Sequence, residues 1–167
     1  MATKAAVSEE EYLRTSFPDL DREYRAGEIE ERSLPDYSHG KIQGNIAAFC
    51  KPLRKTHRLF ASVETRVKLR PGRYVIPDVA IFWPEEPKSR LPDVPPLIAV
   101  EILSLDDRLS KVLDKLREYQ HWGVRHIWLA DPEARLLYTF SAEGLQEVTA
   151  YHIPEAGLDV TAEDIFD

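Results

Sequence analysis

Between Leu97 and Ala130 the chain passes from one apolar segment, through an amphipathic stretch, to a second apolar segment. The first is Leu97-Ile98-Ala99-Val100-Glu101-Ile102-Leu103, and the last is Arg125-His126-Ile127-Trp128-Leu129-Ala130, stopped by Asp131-Pro132. Between them Leu109, Val112, Leu113, Leu116, Tyr119 and Gln120 share one helical stripe. Ser104 or Asp106 can cap this helix, and Gly123 is placed to end it. A strand, a helix and a strand joined by short loops imply a right-handed parallel crossover. Strands this apolar are usually covered on both faces, so the architecture that follows is a mixed sheet with helices on it.

The rest of the chain supplies the other elements. Ser8 followed by Glu11 has the spacing of a capping box and starts a short peripheral helix that ends before Pro18. Arg22 to Arg32 reads as two short strands around Ala26-Gly27. From Ser38 to about Leu53, the residues Ile42, Ile46, Phe49, Cys50 and Leu53 mark one helical face, with Pro52 disturbing the last turn. Strand-like runs follow at Leu59 to Leu69, Arg73 to Trp83 and Pro96 to Leu103, divided by Pro71-Gly72 and by a proline-rich loop from Pro84 to Pro95. Leu136 to Phe140 and Glu147 to Ile153 form a closing hairpin turned at Glu143-Gly144. The central order is helix, three strands, helix, strand (αβββαβ), an α/β (α+β) fold. A length of 167 residues suits a single domain, with a core over about 22–153 and a tail over 154–167.

A lone cysteine, Cys50, excludes an internal disulfide and a zinc ribbon. The N-terminal residues lack the apolar core of a secretory signal, and no apolar run approaches the roughly 18 residues that span a bilayer. A cytoplasmic protein with no membrane partner is expected. The net charge of −7 is unevenly spread: Lys51 to Arg73 carries +7 and the remainder −14. Within that strip Arg54, Lys55, Arg58, Arg66 and Lys68 are candidates for phosphate contact, although a solvated face is the commoner origin of a charge run.

Glu101 carries the most information, because a carboxylate inside a doubly covered strand costs several kcal/mol, on the order of a buried unpaired ion, unless it is paired or metal-bound. Asp78 interrupts a second apolar run, Tyr74 to Phe82, directly after Pro77, and proline within a strand marks a bulge or an edge. Either acid alone is as well explained by a buried ion pair or a turn. Together, on neighbouring strands, they can hold a hard cation such as Mg²⁺, which suits metal-assisted phosphodiester hydrolysis. Lys115 stands at the border of the helical stripe, where it can turn toward the acids or merely cover the core's edge. Glu28 and His39 are by default surface residues, and the other histidines show no metal-ligand spacing.

Gly27-Glu28, Ser38-His39, Pro77-Asp78-Val79, Val100-Glu101-Ile102-Leu103-Ser104, Lys115 with Tyr119, Gly123-Val124, Trp128 and Asp131-Pro132, in this order, resemble the Uma family of restriction-endonuclease-like proteins, a branch of the PD-(D/E)XK nuclease superfamily. The resemblance runs from about Tyr24 to the C-terminus. It implies a restriction-endonuclease-like core and a Mg²⁺- or Mn²⁺-dependent endonuclease acting on DNA. Asp78 and Glu101 would be metal ligands, the backbone carbonyl of Ile102 a further ligand, and Glu28 an acid completing the shell; His39 matches a position near the site with no assigned role. The superfamily lysine normally stands two residues after the second acid, where this chain has Leu103, so Lys115 would be its displaced counterpart. Ala26 and Leu105 also depart from the family pattern. A homodimer is expected, since cutting both strands of a duplex commonly takes two sites. The alternative is a nuclease fold that no longer cleaves and serves as a binding or assembly module.

Overall fold

A computed structural model describes residues 6–17 and 22–167. Ser8 caps helix α1 (Glu9–Arg14), its side chain accepting from the Glu11 amide. The helix closes at Thr15, and Pro18 lies outside the described residues. The hairpin β1 (Arg22–Arg25) and β2 (Glu28–Glu31) turns at Ala26-Gly27, both at positive φ. Helix α2 (Tyr37–Thr56) continues through Pro52 for a further turn.

The two longest strand-like runs each break in the middle. Leu59 to Leu69 becomes β3 (Phe60–Val63) and β4 (Val67–Arg70), and Arg73 to Trp83 becomes β5 (Arg73–Val75) and β6 (Val79–Phe82). β3 pairs with β6 and β4 with β5, so the four strands form one bent hairpin turned at Pro71-Gly72. Its base belongs to a six-stranded sheet and its tip to a four-stranded sheet, and the bend falls at Glu64 on one strand and at Ile76-Pro77-Asp78 on the other. Glu64 takes a φ of 47° there. Proline at 77 cannot donate a ladder bond, which suits a place where the chain leaves one sheet for another.

In the six-stranded sheet the order is β10-β9-β8-β7-β6-β3, with β7 (Ile98–Ile102) antiparallel to β6 and parallel to β8 (His126–Asp131). The crossover between β7 and β8 is helix α3 (Leu109–Trp122), ended by Gly123 at a φ of 100°. Neither Ser104 nor Asp106 caps α3: its N-cap is Arg108, which makes no side-chain cap bond, while the Asp107 carboxylate accepts from the Ser104 amide instead. The four-stranded sheet runs β2-β1-β5-β4.

Alternation along the central strands sends side chains to two cores. Val79, Ile81, Ile98, Val100, Ile102 and Trp128 pack with Ile42, Ile46 and Cys50 of α2. Ala80, Phe82, Ala99, Ile127 and Leu129 pack with Leu116 and Tyr119 of α3 and with Val67, Leu69 and Val75 of the four-stranded sheet. Tyr12 of α1, completely buried, joins Tyr24 and Tyr74 in a third, aromatic cluster.

At the C-terminal side β9 (Leu136–Ser141) pairs with β10 (Gly144–Val148) across the expected Glu143-Gly144 turn. Residues 150–153 do not continue that hairpin; they form β11 (Ala150–Ile153), paired with β12 (Leu158–Thr161) in a separate two-stranded sheet. Helix α4 (Ala162–Phe166) follows, capped by a Thr161–Asp164 box. Residues 154–167 therefore form part of the core, because Val160, Ile165 and Phe166 pack on α2 and the central sheet. Lys41 and Asn45 of α2 donate to the carbonyls of Phe166 and Ile165 at 2.8 and 2.9 Å. Removing the fully buried Ile165 side chain by Ile165→Ala should cost about 2–5 kcal/mol, read as a lower urea midpoint with an unchanged slope.

Candidate active site

The register of β6 and β7 builds the site. Val79 faces Val100 and Ala80 faces Ala99, so continuing one step places Asp78 across from Glu101. Directly opposed residues of an antiparallel pair project to the same face, here the α3 face. Asp78 stands where the β6 ladder stops, and its carboxylate oxygen Oδ2 accepts the next amide, that of Ile102, at 2.7 Å. Both acids are buried, at 3% and 8% exposure.

Cations from three elements converge on them. Arg32, just beyond β2, donates from Nη2 to Asp78 Oδ1 at 2.7 Å, and His39 Nε2 of α2 lies 3.2 Å from Asp78 Oδ2. Lys115 of α3 donates to Glu101 Oε2 at 2.9 Å, to Glu23 Oε1 of β1 at 2.7 Å and to the Ile76 carbonyl at 3.0 Å. Tyr119 donates to Glu101 Oε1 at 2.6 Å. Glu64 Oε1 and the Asp78 carbonyl share the amide of Gln43. Behind this group the almost wholly buried Arg73 joins Glu23, Glu30 and Glu118. The site opens into a cleft of about 580 Å³ whose walls include Arg32, His39, Ile102, Arg108 and Lys111 as well as both acids.

Burial works against the charges of Glu101, Asp78, Lys115 and His39, and the neighbours decide each outcome. For Glu101 burial is the largest influence and the charges of Asp78 and Glu23 add to it, so that despite Lys115 and Tyr119 its carboxyl is pushed up to about 7. Asp78 is equally desolvated, but His39, Lys115 and Arg32 hold it below the usual carboxylate range. Burial also opposes the charge of Lys115, and Glu101, Glu23 and Asp78 outweigh it and raise its pKa. His39 is likewise raised, burial being overcome by its bond to Asp78. Its Nδ1 is buried with no hydrogen-bond partner.

The structure thus brings Asp78, Glu101, Ile102, Lys115 and His39 together. It does not bring in Glu28, which is exposed at the start of β2; the acid from this hairpin that reaches the site is Glu23. Glu23 sits in the mostly charged run Arg22-Glu23-Tyr24-Arg25, where a single tyrosine is the only sign of burial, and Arg32 is hidden among Glu30, Glu31 and Ser33; Arg73 stands at the start of an apolar run, directly after the Pro71-Gly72 turn. Of the basic strip only Arg73 lines the cleft; the five cations expected to contact phosphate do not. Lys68 pairs with Glu9, Arg54 with Glu86, Arg66 lies over the Tyr12 ring, and Arg58 donates to the Pro84 carbonyl; Lys55 is exposed on the last turn of α2.

Among the described residues no group of three or more His, Cys, Asp or Glu side chains is arranged to hold a metal. Two carboxylates with a nearby carbonyl nevertheless match the demand of Mg²⁺, which takes oxygen donors, is commonly held by one or two carboxylates and keeps several waters. The donor set fits a hard divalent cation.

Because the folded-state pKa of Glu101 is raised from an ordinary 4.5 to about 7, its contribution to stability is complete below 4.5 and is lost as the pH rises through 7. Glu101→Gln, permanently neutral, should therefore gain in melting temperature relative to the wild type between pH 5 and pH 7.5. An equal gap between the two proteins at both values would contradict the shift.

Known proteins resemble this chain in sequence and in fold. The family model Uma2, described as "Putative restriction endonuclease", matches residues 9–166. A crystal structure of a "putative nuclease belonging to DUF820" from Anabaena variabilis is similar, with a TM-score of 0.80 and 22% identity over 94% of this chain and 96% of that one, a likeness of fold. No curated protein matches. With nearly its whole length covered by the family model, and with the helix, bent hairpin and parallel crossover in place, the chain belongs to the Uma2 restriction-endonuclease family.

Proposed function

We propose that the protein is a Mg²⁺- or Mn²⁺-dependent endonuclease hydrolysing phosphodiester bonds in DNA. The observation that carries this reading is the meeting of Asp78, Glu101 and Lys115 at the floor of one open cleft. Asp78, Glu101 and the Ile102 carbonyl would hold the cation, with Glu23 completing the acidic shell in the role expected of Glu28. When bound, the cation supplies a Lewis acid for the phosphoryl oxygen and lowers the pKa of coordinated water.

The chain's own groups do the rest. Lys115 holds Glu101 by its ammonium and offers positive charge for the charge that develops on the phosphate. Tyr119 fixes the orientation of the Glu101 carboxylate, and the Ile102 amide fixes that of Asp78. Arg108 and Lys111, on the cleft wall at the start of α3, are placed to meet backbone phosphates. A cytoplasmic location accords with such a substrate, and no helix among the described residues is long and apolar enough to cross a membrane.

The second reading, a binding or assembly module of nuclease fold, draws on the hydrogen bonds that already occupy both acids. Cleavage decides between them. Plasmid, single-stranded DNA and RNA incubated with Mn²⁺ should show cutting of DNA by the wild type and none by Asp78→Asn; failure of the folded wild type on every substrate would transfer the reading to the module.

Lys115→Gln should slow cleavage by ~10²–10³ while leaving Mn²⁺ binding measurable by calorimetry. The same change leaves Glu101 without its close cation and Glu23 with Arg73 alone, and should also lower the melting temperature. An unaltered rate in the folded variant would remove Lys115 from the chemistry. A symmetric homodimer is the assembly that suits duplex cutting; sedimentation at micromolar concentration should show about twice the 19.2 kDa chain mass, and a monomer throughout would refute it.

A further inference from the structure

We propose that Arg32 and the divalent cation compete for Asp78, so that Arg32 is a built-in counter-ion which must be displaced before the metal is held. The proposal rests on the nuclease reading only for the identity of the cation. Asp78 has two kinds of partner. Its Oδ2 is held by fixed groups: the Ile102 amide in the sheet and His39, which is 4% exposed and anchored in the first turn of α2 by the Asp36 cap. Its Oδ1 is held by Arg32, whose residue lies past the end of β2 and lines the cleft.

Arg32 is the movable member by its contacts as well. Beyond the 2.7 Å bond to Asp78, its other close carboxylate is Glu64, 3.9 Å from Nη1, too long for a hydrogen bond. Lys115, by contrast, is fastened to Glu101, Glu23 and the Ile76 carbonyl. A dication and a guanidinium drawn to one buried carboxylate repel each other strongly, since the surroundings screen charge poorly. Loss of the Arg32 charge therefore removes a competitor from Asp78 while the fixed donors to Oδ2 stay in place. The ring of carboxylates formed by Asp78, Glu101, Glu23 and Glu64 then carries more uncompensated charge, which favours the cation further.

Calorimetric titration of chelator-treated protein with Mn²⁺, in the absence of DNA, tests the competition. Arg32→Met should bind Mn²⁺ roughly ten- to a hundredfold more tightly than the wild type, the factor corresponding to one charge-assisted hydrogen bond. Arg32→Lys, which keeps a competing charge, should stay nearer the wild type. Folded Arg32→Met that binds Mn²⁺ no more tightly than the wild type, or no binding by either, overturns the proposal.

A second measurement needs no neutral variant. In wild-type protein the side-chain Nε–H resonance of Arg32, identified by its loss in Arg32→Lys, should move on addition of Mg²⁺ while that of Arg135, paired with Asp167 outside the cleft, stays. An Arg32 resonance that does not respond at saturating Mg²⁺ also overturns it. Neither measurement depends on cleavage, so a wild type that cuts DNA with Arg32→Met affinity unchanged defeats the competition alone. A wild type that never cuts defeats the nuclease reading alone.

Discussion

Everything around the cleft follows from the cost of taking carboxylates out of water. Asp78, Glu101 and Glu23 are each almost fully buried, and a buried unpaired carboxylate is tolerated only when a cation or several donors reach it. The fold meets that requirement from unconnected parts of the chain. Arg32 comes from the end of the first hairpin, His39 from α2, Lys115 and Tyr119 from α3, and the Ile102 amide from the central sheet. The bent hairpin is what makes the gathering possible, because its bend at Ile76-Pro77-Asp78 places an acid at the junction of two sheets and opposite the acid of β7.

The same junction explains why charge and chemistry are inseparable here. Two acids that face each other across a strand pair cannot ionise independently, and burial separates their behaviour: Asp78 lies low because three cationic groups attend it, whereas Glu101 is pushed up toward neutrality. A pair of carboxyls with divergent affinity for protons is a common outcome where an active site sets two acids side by side. Lys115 bridges Glu101 to Glu23 and so ties the four-stranded sheet to the central one through the site itself.

Much of this was legible in the sequence because burial leaves a trace where it is most costly. Glu101 and Asp78 stand out as acids inside apolar runs, and the stripe through Leu116 and Tyr119 with Lys115 at its border fixes which helix covers them. The parallel crossover was equally plain. Less visible were Glu23 and Arg32, since a charged residue in a polar neighbourhood looks solvated until the chain folds its partner onto it, and Arg73, which beside a turn passes for the solvated end of a strand. Proximity in sequence also misleads in the basic strip, where cations adjacent along the chain are carried off by α2, by β4 and by the segment between β3 and β4 to separate acidic or aromatic partners. The α3 cap shows a third limit: Ser104 and Asp106 have the right chemistry, but Asp107 spends its carboxylate on a turn, and the helix begins later, with its first amides uncapped by a side chain.

Arg73 carries the wider lesson. At 2% exposure its guanidinium reaches Glu23 and the Tyr24 carbonyl of β1, Glu30 of β2 and Glu118 of α3, so it is satisfied only when all three elements are present. Any partly assembled state in which one of them is missing would hold a desolvated cation without its full complement of acceptors. Such states are penalised as intermediates, and the small sheet and α3 are bound to arrive and depart together. A single side chain, bonded to neither Asp78 nor Glu101, thereby couples the small sheet and α3 into one cooperative unit.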